Sequence, residues 1–195
     1  MPVLRFAIDE TLFEAGISRQ QAAARVLRQL GIAQMLADFT PVLAGTIPLE
    51  IDLPESDLDI LCHALDLRMF ARVCETLALR LDGYQAKFTT IRGVESFVAQ
   101  GRCQEFEIEI FAQSQSVEAQ WGYRHLLVEE KLLAIGGAAL REEIRALKRR
   151  GLKTEPAFAQ LLDLSGDPYI ALLELDTWSD QRLVERVNSR RKHLV

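Results

Sequence analysis

The period of the hydrophobic positions changes along the chain, and the change divides it in two. Between Ser18 and Ala37 the apolar residues Ala23, Val26, Leu27, Leu30 and Ile32 recur near helical spacing, which predicts a helix capped by Ser18. Thr40 to Ala44 is a short β-rich run closed by Gly45, and residues 57–62, DLDILC, alternate polar and apolar like a strand. Residues 67–81 return to helical spacing and stop at Asp82-Gly83, a turn signal. Three strand candidates follow, at 84–91, 95–100 and 103–111. After Ser116 helices are expected at about 116–134, 138–150, 155–163, 167–175 and 179–190, punctuated by Gly136-Gly137, Gly151, Gly166-Asp167-Pro168 and Asp176. Strands around one helix, then a run of helices, predict an α+β protein: an α/β core over 1–115 and a helical region over 116–195 packed on that core.

Composition narrows the class without naming a function. The chain has 195 residues, 49% hydrophobic and 26% charged, an ordinary globular balance that excludes a mostly disordered chain. Its net charge of −5 argues against a uniformly basic nucleic-acid binder, so a nucleic-acid partner stays open without support from charge. The N-terminus lacks a signal-peptide pattern, and the apolar run from Leu132 to Leu140 falls short of the ~20 residues that span a bilayer. A cytoplasmic location and no membrane partner are expected. Cys62, Cys74 and Cys103 are odd in number and form no C-x-x-C, which points to reduced, buried thiols.

Charge is unevenly spread. Residues 50–59 carry five acids and no base, residues 141–153 a local +4, and residues 182–192 another +4. Solvated surfaces would account for these, as would a cation site facing basic groups that take a polyanionic, metal-bound ligand.

The chemistry concentrates in 43–63, LAGTIPLEIDLPESDLDILCH. In a strand, Asp57 and Asp59 leave the same face with Cα atoms ~6.6–7 Å apart. Such a pair repels itself unless a cation intervenes, and Mg²⁺, with oxygen ligands at ~2.0–2.1 Å, suits it. Glu107 and Glu109 repeat the spacing in FEIEIF between Phe106, Ile108 and Ile110. Two acidic pairs on neighbouring strands would make a strongly repulsive patch, which favours a metal site over a merely solvated face.

Other features are weaker. No P-loop, G-x-G-x-x-G or G-x-S-x-G motif occurs. His125 and Glu129, four apart on a helix, could share a metal but read more simply as a polar helix face. His63 reads as a strand-end polar residue, and Gly136-Gly137 as a break between helices. Lys148, Arg149, Arg150 and Lys153 complement a helix dipole or meet a phosphate-bearing ligand; Lys87 and Arg92 are further phosphate candidates.

The stretch Ala44, Gly45-Thr46, ten residues, then Asp57-Leu58-Asp59-Ile60 resembles the signature of the DNA polymerase β-like nucleotidyltransferase superfamily. More narrowly, GTIP, IDLPESDLDI, FEIEIFAQ, GLKTEPAFAQLL and GDPYIALL together are similar to a domain-of-unknown-function family of small bacterial proteins assigned to it. The resemblance implies a nucleotidyltransferase-like mixed sheet and two Mg²⁺ ions. Asp57 and Asp59 would be catalytic metal ligands, with Glu107 or Glu109 as the third carboxylate, and Glu109 is carried into the metal set. Gly45 and Thr46 would bind nucleotide. Thr46 stands where Ser or Gly is commoner, and the third carboxylate is Glu rather than Asp. Pro48 and Pro54 disfavour a helix after Gly45-Thr46, so a looped backbone is expected there.

The expected activity is Mg²⁺-dependent transfer of a nucleoside monophosphate from a nucleoside triphosphate to a hydroxyl of a small molecule, RNA or protein. The rival is a nucleotide-sensing or antitoxin-like partner-binding protein that keeps the fold and the metal site without turnover.

Overall fold

The computed structural model describes residues 4–190. Five strands form one sheet: β1 (Val42–Ala44), β2 (Leu58–His63), β3 (Asp82–Ile91), β4 (Val94–Cys103) and β5 (Phe106–Gln113), in the order β1-β2-β5-β4-β3. β2 and β5 run parallel and the other neighbours antiparallel, so the sheet is mixed. Helices α1 (Ser18–Leu30), α2 (Ile32–Met35) and α3 (Leu67–Glu75) precede or interrupt the strands. The long α4 (Trp121–Arg149), α5 (Thr154–Leu161), α6 (Pro168–Glu174) and α7 (Asp180–Asn188) follow them. The class is α+β, as the hydrophobic pattern predicts. The chain groups into two compact units, Met1–Pro48 with Glu55–Tyr123, and Leu49–Pro54 with Arg124–Val195.

Several element ends differ from expectation, each for a local reason. The helix expected over 18–37 breaks at Gly31, whose φ of 69° forms a left-handed cap on α1. Ser18 lies inside α1 rather than capping it. Gln20 does that work, its Oε1 accepting from the Ile17 amide at 3.1 Å. α3 starts at the Asp66 cap, whose carboxylate accepts from the amides of Arg68 and Met69, and it gives way to a 3-10 turn at Thr76. The strands expected over 95–100 and 103–111 are β4 and β5 with a shifted boundary: β4 runs on to Cys103, and the turn falls at Gln104, whose φ is 55°. α4 contains the expected break, at Gly137 with φ 61° and ψ −152°.

In the sheet unit, alternation sends one set of side chains into a core. Leu58, Ile60 and Cys62 of β2, Phe106, Ile108 and Ile110 of β5, and Phe97 and Ala99 of β4 join Val26, Leu27 and Leu30 of α1 and Leu67, Phe70 and Cys74 of α3 in one buried cluster. The Phe70 ring meets Phe39 and Phe97 edge-on at centroid distances of 4.7 and 5.6 Å. All three cysteines are free and buried, and burial pushes the Cys74 thiol up to about 12, which leaves it inert.

In the helical unit, the basic stretch of α4 is spent on backbone. Arg141 Nε, Arg145 Nη1 and Lys148 Nζ donate to the carbonyls of Leu49, Glu50 and Ile51 at 3.2, 2.6 and 2.8 Å. Arg145 and Arg149 also pair with Glu142, and Arg190 pairs in a bidentate fashion with Glu143. On α7, Arg182 stacks over Trp178 at 3.4 Å and Arg186 donates to the Leu162 carbonyl. Arg191 and Lys192, part of the basic C-terminal tail, lie outside the described residues. Among the described residues no helix is long and apolar enough to cross a membrane.

Candidate functional site

The same alternation that buries Leu58 and Ile60 turns Asp59 to the opposite face of the sheet, where it is half-buried. Asp57 is exposed and sits one residue before β2 begins. The parallel pairing of β2 with β5 sets Asp59 directly beside Glu109, and the antiparallel pairing of β5 with β4 sets Glu109 beside Gln100. One further strand out, Gln100 pairs with Gln85. A row of Asp59, Glu109, Gln100 and Gln85 therefore crosses four strands. A second row, Glu107, Arg102 and Asp82, runs beside it.

Most members of these rows, though not Asp59, line a cleft of about 260 Å³ together with Asp57, among them Glu107, Glu109, Gln100, Arg102 and Asp82. Four carboxylates face one guanidinium there, a field that favours a cation. The Glu109 carboxylate is held: Gln100 Nε2 donates to its Oε2 at 2.6 Å.

Gly45 is shaped for Asp59. Its φ of 73° lies in the left-handed region, and a Cβ added there would collide with Asp59 Oδ2 and lie 3.2 Å from its Cγ. The carboxylate of Asp59 thus rests in the space a side chain at 45 would fill. After Gly45-Thr46 the chain continues in turns rather than a helix, as Pro48 and Pro54 imply. Gln20 Nε2 secures this stretch by donating to the carbonyls of Ile47 and Pro48 at 3.1 and 3.3 Å. Thr46 Oγ1 donates to Ser56 Oγ at 3.2 Å, closing the base of the loop that ends at Asp57.

The donor set is all oxygen, hard and anionic, which fits Mg²⁺, and the cradle at Gly45 fixes one of its members. Among the described residues, however, no group of three His, Cys, Asp or Glu side chains is gathered to hold a metal. The sheet aligns the backbones of the expected carboxylates, while their side chains do not form a finished ligand cage.

Several candidates lie outside this face. Arg92 stacks over Trp121 at 3.6 Å, and His63 ends β2 opposite Gln113. His125 and Glu129 are not a plain polar helix face, since both are buried, at 6% and 5% exposure. His125 Nε2 meets the Tyr169 carbonyl at 2.9 Å and its Nδ1 lies 3.8 Å from Glu155. Gln20 and Gln100 were not singled out by spacing, because a glutamine in a helix or strand carries no motif of its own.

The model of a family described as "Domain of unknown function (DUF4269)" matches residues 25–175, and the chain belongs to that family. No curated protein matches it. Among solved structures, the Cid1 poly(U) polymerase with Mg 3'-dATP bound is similar at TM-score 0.51 and 14% identity, over 83% of this chain and 48% of that one. A cytoplasmic RNA terminal U-transferase is similar at TM-score 0.51 and 15% identity, over 83% and 47%. A further structure of Cid1 poly(U) polymerase gives TM-score 0.52 and 14% identity, over 79% and 50%. The chain thus spans about half the length of these structures. The chain shares the fold of these structures, a mixed sheet followed by helices.

Proposed function

We propose that this member of the DUF4269 family is a Mg²⁺-dependent nucleotidyltransferase that places a nucleoside monophosphate from a triphosphate on an acceptor hydroxyl. The observation that carries the reading is the register of β2 and β5, which stands Asp59 beside Glu109 on the exposed face while Gly45 makes room for the Asp59 carboxylate. Asp57 and Asp59 would hold the metal that accompanies the triphosphate, and Glu109 or Glu107 would complete a second site. Bound Mg²⁺ supplies charge neutralisation at the phosphates and lowers the pKa of the attacking hydroxyl. The left-handed turn at Gly45, leading into Thr46, would present backbone amides to the phosphates. The glutamate nearest the acceptor would orient its hydroxyl and take its proton as the new O–P bond forms and pyrophosphate departs. Positioning and electrostatics then carry most of the rate.

The acceptor class follows the same logic: a hydroxyl-bearing small molecule, RNA or protein. A second reading is a nucleotide sensor or partner-binding protein that keeps the site without turnover.

The test is melting with triphosphate, with and without Mg²⁺. Ligand at a hundred times its Kd stabilises by ~2.7 kcal/mol. The shift is expected only with both components and only with Asp57 intact; an Asp57→Asn variant that responds like wild type overturns the site. Incubation with labelled triphosphate, Mg²⁺ and cell extract then separates the readings: a labelled acceptor identifies the enzyme, and binding without transfer supports the sensor.

A further inference from the structure

We infer that Gln100 is a positioning residue that commits Glu109, rather than Glu107, to the role of third carboxylate; this rests on the nucleotidyltransferase reading. The two glutamates share a face of β5, and what distinguishes them is their neighbour on β4. Glu109 stands across from Gln100, Glu107 across from Arg102. An amide donates a hydrogen bond without adding charge, so Gln100 fixes the rotamer of the Glu109 carboxylate and leaves its full negative charge for a cation. Arg102, the register neighbour of Glu107, turns its Nε to the Gln104 carbonyl at 3.4 Å, so among the described residues no side-chain donor orients the Glu107 carboxylate. Glu109 also has Asp59 as its neighbour on β2, whereas Glu107 precedes the first paired position, Ile108. The hydrogen bond is short, 2.6 Å, and it engages one oxygen, Oε2, which leaves Oε1 available. Gln100 is itself exposed and flanked by Gln85 on β3, so nothing in the packing of the core requires a glutamine at this position.

The experiment is titration of the full chain with Mn²⁺ in the presence of a non-hydrolysable triphosphate analogue, followed by calorimetry and by the electron paramagnetic resonance of the free ion. Wild type is expected to take up two ions, the weaker of which requires Glu109. Gln100→Leu should weaken that second ion by ~10–100-fold, the usual effect of losing a residue that orients a ligand, and leave the first unchanged. Gln100→Asn, which keeps the amide but shortens its reach, should fall between. In a Glu109→Gln background Gln100→Leu should have no further effect, whereas in a Glu107→Gln background its full effect should remain. A role confined to sheet stability would act equally in both backgrounds.

The outcomes separate the inference from the reading beneath it. If Asp57→Asn abolishes binding of the metal and triphosphate but Gln100→Leu binds both ions like wild type, the assignment to Gln100 is overturned and the nucleotidyltransferase reading stands. If wild type binds no metal with the triphosphate, both fall together.

Discussion

On the sheet, Asp59 and Glu109 stand side by side at half exposure, with Asp57 and Glu107 open to solvent. In the helical unit, Glu129 of α4 is 5% exposed, with His125 one turn away and Glu155 and Lys148 acting on it. Both arrangements bring carboxylates together, and they resolve the repulsion differently. On the sheet the acids keep access to water, and a cation from solution can answer them. In the helical unit the acid is withdrawn from water: burial, with Glu155 close by, pushes its carboxyl well above the usual carboxylate range against the pull of Lys148. Clustered charge therefore signals ligand chemistry only where solvent can deliver the ligand. The basic residues of α4 make the same point, because Lys148, a phosphate candidate in sequence, is bonded to a carbonyl in the fold, as are Arg141 and Arg145 of the same basic stretch.

The strongest way to break this comparison is at the sheet. Glu109→Gln is expected to lower transfer by ~10²–10⁴-fold while metal and triphosphate binding through Asp57 and Asp59 persists. Glu107→Gln should be mild, and equal losses in the two variants would erase the distinction between the rows. Next comes Gly45→Ala, which combines an unfavourable φ with a collision at Asp59; a loss of about 1–3 kcal/mol should appear in chemical denaturation, along with weaker nucleotide binding. An unaltered midpoint would mean that the Asp59 carboxylate moves freely out of the cradle.

The helical unit offers smaller effects. Arg145→Ala removes a donor from the Glu50 carbonyl and should cost about 1 kcal/mol, with faster proteolysis within 49–54. For Glu129 the sign follows from its raised pKa. A group more readily protonated when folded lends stability in acid, and that contribution is lost as pH rises from the ordinary carboxylate range toward the raised value. Glu129→Gln should therefore melt higher than wild type at pH 8 and no higher at pH 4, by about 2–4 °C for each kcal/mol gained. A variant that melts lower at pH 8 would show that the charged form is the one the fold needs. Lys131→Ala, which breaks an exposed pair with Asp176 at 3.5 Å, should change stability by less than about 0.5 kcal/mol.

Much of the fold is legible because its signals are local. Alternation marks β2 and β5, helical spacing from Leu67 marks the start of α3, and Gly136-Gly137 marks the break in α4. Asp57, Asp59, Glu107 and Glu109 are visible as pairs for the same reason. Their arrangement depends on strand register, a long-range property: no spacing rule says that Asp59 meets Glu109 or that Glu109 meets Gln100. Burial of His125 and Glu129 was hidden likewise, since i,i+4 polar residues look solvated until neighbouring helices are placed over them. The turn between β4 and β5 falls at Gln104 rather than near Gly101, because a non-glycine residue supplies the left-handed conformation.

The loop between Thr46 and Asp57 has a consequence for dissecting the protein. Residues 49–54 belong with the helical unit, although the chain on both sides of them belongs with the sheet. The polypeptide thus leaves the sheet unit after Pro48 and re-enters it at Glu55, so the two units are not successive beads on a string. A truncation after Tyr123 strands the carbonyls of Leu49, Glu50 and Ile51 without these donors, and an isolated 124–195 fragment deprives Arg141, Arg145 and Lys148 of these three acceptors. The helical piece becomes self-contained only if 49–54 is supplied as a separate peptide or spliced in by circular permutation, which makes complementation between fragments the natural way to take this molecule apart.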